Sequence, residues 1–376
     1  MMSTAVSMSG LTKEVIHKLP AFMPGEGPAA VLKKYPYLRT IHKLSSNENQ
    51  LGPSPKAVAA IRDAAARLNE YPDGRASRLC AALGEFYDIS PEHLFVTSGA
   101  TGSLELVADV FVCPGDEAIF CWPTYLPYRR YVQRQNGIPV EVPLDSELRF
   151  DLGAMERAIT DRTKLIMICN PNNPTGTAVP RDELERFLRN VPEHIIVMLD
   201  EAYIEFSRDG ADASLYRLVL ELPNLVVLRT FSKLYGLAGE RVGYTFSGKE
   251  VHDLLSKSAT FFTATALGIE AAIAALSDQE FVKKTLATIH EGRRYLTREF
   301  EALGFRVYES ETNFLYIDTG FDAMSFAEAL KAHGIVIRGN FELSRITIGT
   351  PEQNRLLVEA AKEIVEGDGV TKREGA

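Results

Sequence analysis

The chain has 376 residues, a charged fraction of 24% and a formal net charge of -9. This acidic balance makes nucleic acid a poor partner, because phosphate neutralisation needs a basic face. No window approaches the roughly 20 apolar residues of a membrane-spanning helix, so we expect no membrane partner either. At roughly 100–200 residues per domain, the length favours two domains, or one large and one small domain.

The four cysteines are Cys80, Cys113, Cys121 and Cys169, and their spacing matches neither a disulfide framework nor a zinc site. The last three lie in or beside apolar runs, which is typical of buried free thiols. Free thiols indicate a reducing compartment, and we predict a cytoplasmic protein. The seven histidines also lack metal-ligand spacing, so no metal site is predicted.

Seven short apolar runs in the first two thirds of the chain are candidate strands. Several are continuously apolar rather than alternating, which indicates a sheet buried on both faces. Helical stretches such as Ser103–Phe111 and Arg181–Asn190 fall between them, and this alternation predicts an α/β fold with a mainly parallel seven-stranded sheet and helices on both faces. The candidate strands are Leu94–Thr97, Glu117–Cys121, Pro139–Val142, Leu165–Cys169, Ile195–Leu199, Leu225–Leu228 and Val242–Phe246.

The pattern changes after about residue 275. A long amphipathic stretch, Asp278–Leu303, is followed by short candidate strands around Arg306–Glu309, Phe314–Ile317 and Arg345–Gly349, which predicts a smaller α+β domain. The first 45 residues have no sheet pattern of their own, and we expect them to pack against this second domain. The predicted division is a large α/β domain over residues 46–275 and a small domain formed by residues 1–45 with 276–376.

Polar segments follow four of the candidate strands, at the edge where ligands bind in open α/β sheets. Together they would bring a glycine-rich turn, an amide, an acid and a lysine to one place. In chain order the segments are Ser98-Gly99-Ala100-Thr101-Gly102, Asn170-Pro171-Asn172-Asn173-Pro174-Thr175-Gly176, Asp200-Glu201-Ala202-Tyr203 and Arg229-Thr230-Phe231-Ser232-Lys233.

This set of groups suits pyridoxal 5'-phosphate (PLP). The cofactor needs a lysine for a Schiff base, a carboxylate facing its pyridine nitrogen, donors for its phenolic oxygen and a cradle for its phosphate. Lys233 offers the amine, and the charge of Asp200 would keep the ring nitrogen protonated. Asn170 and Tyr203 are candidate donors to the phenolic oxygen. The Gly99–Thr101 turn opens a predicted helix, whose free N–H groups can hold phosphate.

A family resemblance supports this interpretation. The run from Asn170 to Gly176, and Ser232-Lys233 followed by Arg241, resemble the class I/II, fold-type-I PLP-dependent aminotransferases. Four further segments are similar to the histidinol-phosphate aminotransferases, and the resemblance spans roughly residues 40 to 355. These segments are Leu44-Ser45-Ser46-Asn47-Glu48-Asn49, Tyr71-Pro72-Asp73-Gly74, Thr230-Phe231-Ser232-Lys233 through Gly239, and Ser344-Arg345-Ile346-Thr347-Ile348-Gly349-Thr350.

The resemblance implies a role for each matching position at the cofactor. Lys233 would be the catalytic lysine, Asp200 would pair with the pyridine nitrogen, and Asn170 and Tyr203 would contact the phenolic oxygen. Tyr125 would stack on the ring. The phosphate would be held by Ala100, Thr101, Ser232 and Arg241, in a site that also includes Gly99 and Thr230.

The resemblance also implies substrate contacts and a partner. Arg345 would bind the anionic group of the substrate, Arg338 would assist it, and Asn47 would line the substrate pocket. Tyr71 would reach the phosphate of the neighbouring subunit's cofactor, which implies a homodimer with shared active sites.

The implied reaction is a transamination between an amino donor and a 2-oxo acid. The first choice of donor is L-histidinol phosphate, with 2-oxoglutarate as acceptor and a place in histidine biosynthesis. An aromatic or other amino acid is the alternative donor, and a threonine-phosphate decarboxylase-like lyase is a further alternative. Thr101-Gly102 and Gln50 depart from the histidinol-phosphate pattern, and both positions bear on the substrate rather than on PLP.

Overall fold

A computed structural model describes residues 12–21, 26–367 and 370–373 of the chain. Its α-helices are α1 Glu14–Lys18, α2 Pro28–Lys34, α3 Pro55–Ala64, α4 Ser77–Tyr87, α5 Gly99–Phe111, α6 Pro127–Arg134, α7 Leu152–Arg157, α8 Arg181–Asn190, α9 Lys249–Ser258, α10 Ala266–Leu276, α11 Gln279–Ala302, α12 Ala323–Ala332 and α13 Pro351–Glu366. Its strands are β1 His42–Lys43, β2 Leu94–Ser98, β3 Glu117–Trp122, β4 Ile138–Pro143, β5 Thr163–Cys169, β6 Ile196–Asp200, β7 Leu225–Thr230, β8 Val242–Ser247, β9 Arg306–Val307, β10 Phe314–Asp318, β11 Ile335–Val336 and β12 Ser344–Thr347.

Seven strands form the main sheet in the order β2-β8-β7-β6-β5-β3-β4. Strand β8 is antiparallel to both of its neighbours, and the remaining neighbours pair in parallel. Every strand of this sheet except β8 therefore points its carboxyl end to the same edge. All seven predicted strands are present, with ends within two residues of the predicted ones, and the mainly parallel α/β fold is confirmed.

The sheet is covered on both faces. Every residue of β7 and β8 is buried, and successive side chains of a strand point to opposite faces, so neither face is open to water. The helices α5 and α8 form where the alternating pattern predicted them. Helix α8 begins after Pro180, carries Asp182 and Glu183 in its first turn, and buries Leu184, Phe187 and Leu188.

A second, smaller sheet lies in the last third of the chain. Strands β9, β10 and β12 form it in the antiparallel order β12-β10-β9. Helix α11 occupies the predicted amphipathic stretch and packs against α13, whose first turn is closed by a capping box between Thr350 and Gln353.

Residues 42–44 contribute a strand beside this second sheet that the sequence pattern did not reveal. Strand β1 pairs in parallel with β11. The main chain of Leu44 continues this pairing, because its N–H donates to Val336 O at 2.8 Å and its carbonyl accepts from Thr347 N at 2.9 Å. Two residues are too few to show a strand period, which explains the omission.

Among the residues that the structure describes, no helix combines the length and the apolar character needed to cross a membrane.

Candidate active site

The carboxyl ends of β2, β5, β6 and β7 border a cavity of about 250 Å³. Twelve of the fifteen predicted site residues line it: Asn47, Ala100, Thr101, Tyr125, Asp200, Tyr203, Thr230, Ser232, Lys233, Arg241, Arg338 and Arg345. Five lining residues were not predicted: Ser46, Cys169, Asn173, Ala202 and Ala238. Gly99, Asn170 and Tyr71 do not line the cavity.

Lys233 places its amine inside this cavity. Its Nζ donates to the carbonyl oxygen of Ser46 at 3.2 Å and lies 5.6 Å from the centroid of the Tyr203 ring. Burial, with a smaller contribution from the nearby Arg345, lowers the pKa of Lys233 to about 7, and Glu48 opposes the shift. A large fraction of the amine is therefore neutral at neutral pH, which is the form that attacks a carbonyl group.

Asp200 ends β6 and is 4% exposed. Its Oδ1 accepts from the backbone N–H of Ala202 at 3.0 Å, and its Oδ2 accepts from the hydroxyl of Tyr128 at 2.9 Å. Burial raises the pKa of Asp200 to about 6, and these two hydrogen bonds oppose that shift. Within the described residues no cationic side chain forms an ion pair with this carboxylate, so the site is suited to a cationic ring nitrogen.

A cradle for an anion lies where β2 turns into α5. Gly99 begins the helix at φ +71°, and the guanidinium of Arg241 lies so close that a Cβ at position 99 would overlap it. Arg241 donates to Thr101 Oγ1 at 3.1 Å, to Ala238 O at 2.9 Å and to Ser232 Oγ at 3.5 Å. None of these partners is a carboxylate, so the positive charge and the helix N-terminus both remain available to a phosphate.

The close approach of β8 makes this cradle possible. A Cβ on Gly243 would lie 2.5 Å from the carbonyl carbon of Gly99 and 2.6 Å from the nitrogen of Ala100. Only glycine therefore allows the strand to pass under the turn at this distance.

Tyr203 is held as a hydrogen-bond donor. Its oxygen accepts from Asn47 Nδ2 at 3.0 Å and from Asn173 Nδ2 at 3.5 Å. Burial raises the pKa of the phenol, so the hydroxyl keeps its proton at neutral pH. With its acceptor positions occupied by two amides, the hydroxyl has its proton to offer to an acceptor in the cavity.

Asn170, predicted to contact the cofactor, has its side chain bound to the backbone of Val179 and does not line the cavity. The Asn170 side chain donates to Val179 O at 3.2 Å and accepts from Val179 N at 2.8 Å, which closes the loop behind the cavity wall. Asn173, three residues later in the same run, presents its amide to the cavity instead. Both side chains are 7% exposed, so burial does not distinguish them; the direction of the loop does.

Two further arginines, Arg338 and Arg345, line the cavity. Arg345 donates from Nη1 to Asn173 Oδ1 and from Nη2 to Ser45 O, each at 2.6 Å, while Arg338 Nε donates to the same Ser45 oxygen at 3.2 Å. Burial lowers the pKa of Arg345 to about 10, which leaves it charged at neutral pH. Its Nε has no hydrogen-bond partner among the described residues. Neither guanidinium has a carboxylate partner in the part of the chain that the structure describes, and two such adjacent groups favour an anionic ligand.

The predicted aromatic contacts fall in two places. Tyr125 lines the cavity, and its ring meets that of Tyr128 edge-on at 5.9 Å and 89°. Tyr71 lies outside the cavity, is 83% exposed and stacks on Phe262 with ring centroids 4.7 Å apart.

Tyr128 and Asn173 are two of the side chains that sequence reasoning missed. Tyr128 follows Tyr125 by three residues, the spacing at which two residues lie on one side of a helical turn, and this signal could have suggested it. Nothing in the order of the three asparagines of the Asn170–Gly176 run shows which of them faces a ligand.

The lysine, carboxylate and anion cradle of this cavity meet the demands that PLP makes on a protein, and together with the sheet order they define a fold-type-I PLP-dependent enzyme. The chain belongs to the aminotransferase class I and II family, whose model matches residues 39–360. It is therefore a PLP-dependent aminotransferase.

Several known proteins are similar to this chain over almost its whole length. A histidinol-phosphate aminotransferase 2 of Carboxydothermus hydrogenoformans is 38% identical over 368 residues, which are 95% of this chain and 99% of the relative. An aromatic amino acid aminotransferase of Rhodococcus erythropolis is 42% identical over 89% of this chain and 91% of the relative. The crystal structure of the histidinol-phosphate aminotransferase of Sinorhizobium meliloti with pyridoxal-5'-phosphate has a TM-score of 0.87 at 29% identity, covering 97% and 99% of the two chains.

Proposed function

We propose that this aminotransferase takes its amino group from L-histidinol phosphate and passes it to 2-oxoglutarate. The observation that carries the proposal is the pair of guanidinium groups of Arg338 and Arg345, which share the Ser45 carbonyl and have no carboxylate partner among the described residues. One anion site can serve a phosphate in the first half-reaction and a carboxylate in the second. The relative from Carboxydothermus hydrogenoformans supports this donor.

In this proposal Lys233 has two tasks. Its neutral amine would hold the cofactor, and its Nζ would accept the proton from the substrate Cα. PLP, when bound, supplies the electron sink that makes this Cα proton acidic. The Ser46 carbonyl, 3.2 Å from Nζ, holds the free amine in the cavity between these tasks.

The other cavity residues would hold the cofactor and orient the substrate. Arg241, with Ala100, Thr101, Ser232, Thr230 and the Gly99 turn, would bind the cofactor phosphate at the start of α5. Asp200 would face the ring nitrogen, and Tyr125 would stack on the ring. Tyr203 and Asn173, in place of Asn170, would donate to the phenolic oxygen, and Asn47 would line the substrate side.

An aromatic amino acid is the second candidate donor. The ring centroids of Phe314 and Phe341 lie 5.4 and 5.5 Å from Arg345 Cζ, so the surroundings of the arginine are aromatic as well as polar. The relative from Rhodococcus erythropolis supports this alternative.

The visible spectrum of the purified enzyme tests the donor directly. L-histidinol phosphate, and separately L-phenylalanine, would be added without any 2-oxo acid. Loss of the lysine-bound PLP band at low micromolar histidinol phosphate supports the first donor, and loss only with phenylalanine supports the second. Release of carbon dioxide without need for an oxo acid would instead indicate a decarboxylase. A protein that never forms the band with added PLP would contradict the assignment of Lys233.

We also propose a homodimer with shared active sites, in which Tyr71 reaches the partner's cofactor phosphate. Its support is the exposed aromatic surface of Tyr71, Phe261 and Phe262, which are 83%, 93% and 42% exposed.

The predicted division into a large domain, residues 46–275, and a small domain, residues 1–45 with 276–376, is also part of the proposal. The pairing of β1 with β11 supports it. A cytoplasmic location is proposed from the four free cysteines.

A further inference from the structure

Tyr128 lies next to the proposed cofactor site without lining it. The side chain is 0% exposed, and its ring packs edge-on against Phe120 at 6.1 Å and against Tyr125 at 5.9 Å. Its backbone N–H donates to Tyr125 O at 3.0 Å in the turn that starts α6. The hydroxyl donates to Asp200 Oδ2 at 2.9 Å, and the Cys169 thiol also lies within hydrogen-bond reach of it.

The bond from Tyr128 is distinctive among the contacts of Asp200. In the described part of the chain it is the one side-chain hydrogen bond to this carboxylate, the other donor being the Ala202 backbone. Burial raises the pKa of the Tyr128 phenol far above its usual value, so the group is a permanent donor. A carboxylate can only accept, whereas a neutral carboxyl group would need the proton on one of the oxygens; the donor therefore favours the charged form.

The other titratable groups around Asp200 do not replace this bond. They are Tyr125, Cys169, Glu201 and Lys233. Burial raises the pKa of both the Cys169 thiol and the Tyr125 phenol, so neither supplies charge. Glu201 is committed to Arg229, Ser214 and the backbone of Leu215, and its negative charge opposes ionisation of Asp200.

We infer that Tyr128 is a positioning residue that keeps Asp200 charged and directed at the cofactor. The proton shared by Asp200 and the ring nitrogen would then rest on the nitrogen. The inference depends on the proposed function, in which Asp200 faces that nitrogen. One proton is exchanged between two places: it lies either on the nitrogen beside a carboxylate, or on Asp200 beside a neutral nitrogen. The hydroxyl of Tyr128 stabilises the first arrangement, since hydrogen bonds to an ionised acceptor are about twice as strong as neutral ones.

Tyr128→Phe removes the hydroxyl and keeps the ring packing. Tyr216→Phe is the matched control, because its hydroxyl also makes one hydrogen bond, to Tyr87 O at 2.8 Å, away from the cavity. Holoenzyme of the wild type and of both variants would be loaded with PLP that carries the heavy nitrogen isotope in its ring. Solid-state NMR of that nucleus, without substrate, distinguishes a protonated from a neutral pyridine.

We expect a protonated nitrogen in the wild type and in Tyr216→Phe, and a signal moved toward neutral pyridine in Tyr128→Phe. An unchanged signal in Tyr128→Phe overturns the inference while leaving the Asp200 assignment intact. A neutral nitrogen in the wild type overturns that assignment, and the inference with it.

Cofactor affinity gives a second readout. Tyr128→Phe should bind PLP about tenfold more weakly, the loss expected for one hydrogen bond to a charged group. An analogue with carbon in place of the ring nitrogen has no proton to share, so its affinity should not change. An equal loss for PLP and for the analogue would show that the hydroxyl only supports the fold, and would overturn the inference.

Discussion

Arg345 Nη1 donates to Asn173 Oδ1 across 2.6 Å, and this contact joins strand β12 of the second sheet to the loop that follows β5 of the main sheet. Asn173 in turn donates to the hydroxyl of Tyr203 at 3.5 Å. The proposed substrate-binding arginine is therefore two hydrogen bonds away from a proposed cofactor contact. An anion that draws Arg345 toward itself would change the partners of Asn173 and would in this way couple the proposed substrate site to the proposed cofactor site.

Two alanine variants can test whether Asn173, rather than Asn170, contacts the cofactor. Asn173→Ala should lower kcat/KM about tenfold or more, because it removes a hydrogen-bond partner of Arg345 and of Tyr203 in the proposed active site. Asn170→Ala should lower the free energy of unfolding by about 1–3 kcal/mol, because two buried backbone groups of Val179 lose their partner. Steady-state kinetics and thermal unfolding of both variants would check this. A larger loss of kcat/KM in Asn170→Ala than in Asn173→Ala would instead support Asn170 as the cofactor contact.

Arg345→Lys should lower kcat/KM by roughly ten- to a hundredfold, because a lysine keeps the charge but loses the planar fork that bonds Asn173 and Ser45 together. Arg338→Lys should cost less, since Arg338 shares a single carbonyl contact. The control is Arg298→Lys on the exposed face of α11, which should behave as wild type. Kinetics with L-histidinol phosphate and with 2-oxoglutarate would measure all three. Wild-type values for Arg345→Lys would place the anion elsewhere.

The depressed pKa of Lys233 predicts how cofactor capture depends on pH. In the folded apoenzyme the amine loses its proton as pH rises through about 7, whereas an unperturbed lysine does so near 10.4. The rate of PLP capture should therefore rise with pH around 7 and level off well before pH 9. Stopped-flow measurement of the rate at which the visible band forms, at a series of pH values, would record this dependence. Lys233→Ala is the control, which should form no band and turn over no substrate. A midpoint near 10 would contradict the desolvation of this amine.

Burial of Lys233 also affects the stability of the apoenzyme, and its lowered pKa determines whether stability rises or falls with pH. Between about pH 7 and 10 the unfolded chain binds a proton at Lys233 that the folded chain does not, so this group makes stability rise with pH in that range. Lys233→Met should therefore stabilise the apoenzyme at pH 6 and show a smaller advantage at pH 9. Denaturant unfolding at the two pH values would measure the difference, and an advantage independent of pH would count against it.

Gly99→Ala should weaken PLP binding, because a Cβ at this position overlaps the Arg241 guanidinium and because φ +71° is strained for alanine. The matched control is Gly102→Ala in the same helix, where the nearest atom to a Cβ is Thr97 Cβ at 3.4 Å. The control should keep its affinity and gain roughly 0.5–1 kcal/mol of stability from helix propensity. Fluorescence titration of the apoenzymes with PLP would compare the two. Equal affinities would show that the guanidinium can move aside.

Complementation tests whether Tyr71 serves the partner subunit. Lys233→Ala and Tyr71→Ala would each reduce activity as homodimers. A mixed dimer contains one site with both wild-type residues only if Tyr71 acts across the interface, and the isolated mixed dimer should then have about half of wild-type activity. Co-expression with two affinity tags and assay of the doubly tagged dimer would measure this. No gain over the separate variants would place Tyr71 in its own subunit's site, or in none.

Much of the site could be predicted because the chemistry is concentrated in short runs at strand ends. Continuous apolar runs indicated seven strands, and parallel strands bring their carboxyl ends to one edge, so Lys233, Asp200 and Tyr203 had to lie close together. Arg241 follows Lys233 closely in the chain and enters β8, which returns past the same turn. These positions depend on local pattern and on sheet geometry alone.

Tertiary structure decided which neighbouring residue performs each contact. Asn170 and Asn173 are chemically identical and equally buried, and only the closure of the loop on Val179 turns one amide away from the cavity. The pairing of β1 with β11 and the bond from Tyr128 to Asp200 join segments far apart in the chain. Such contacts depend on side-chain direction after packing, a quantity that residue type and periodicity do not contain, because it is set by atoms that meet only in the folded molecule.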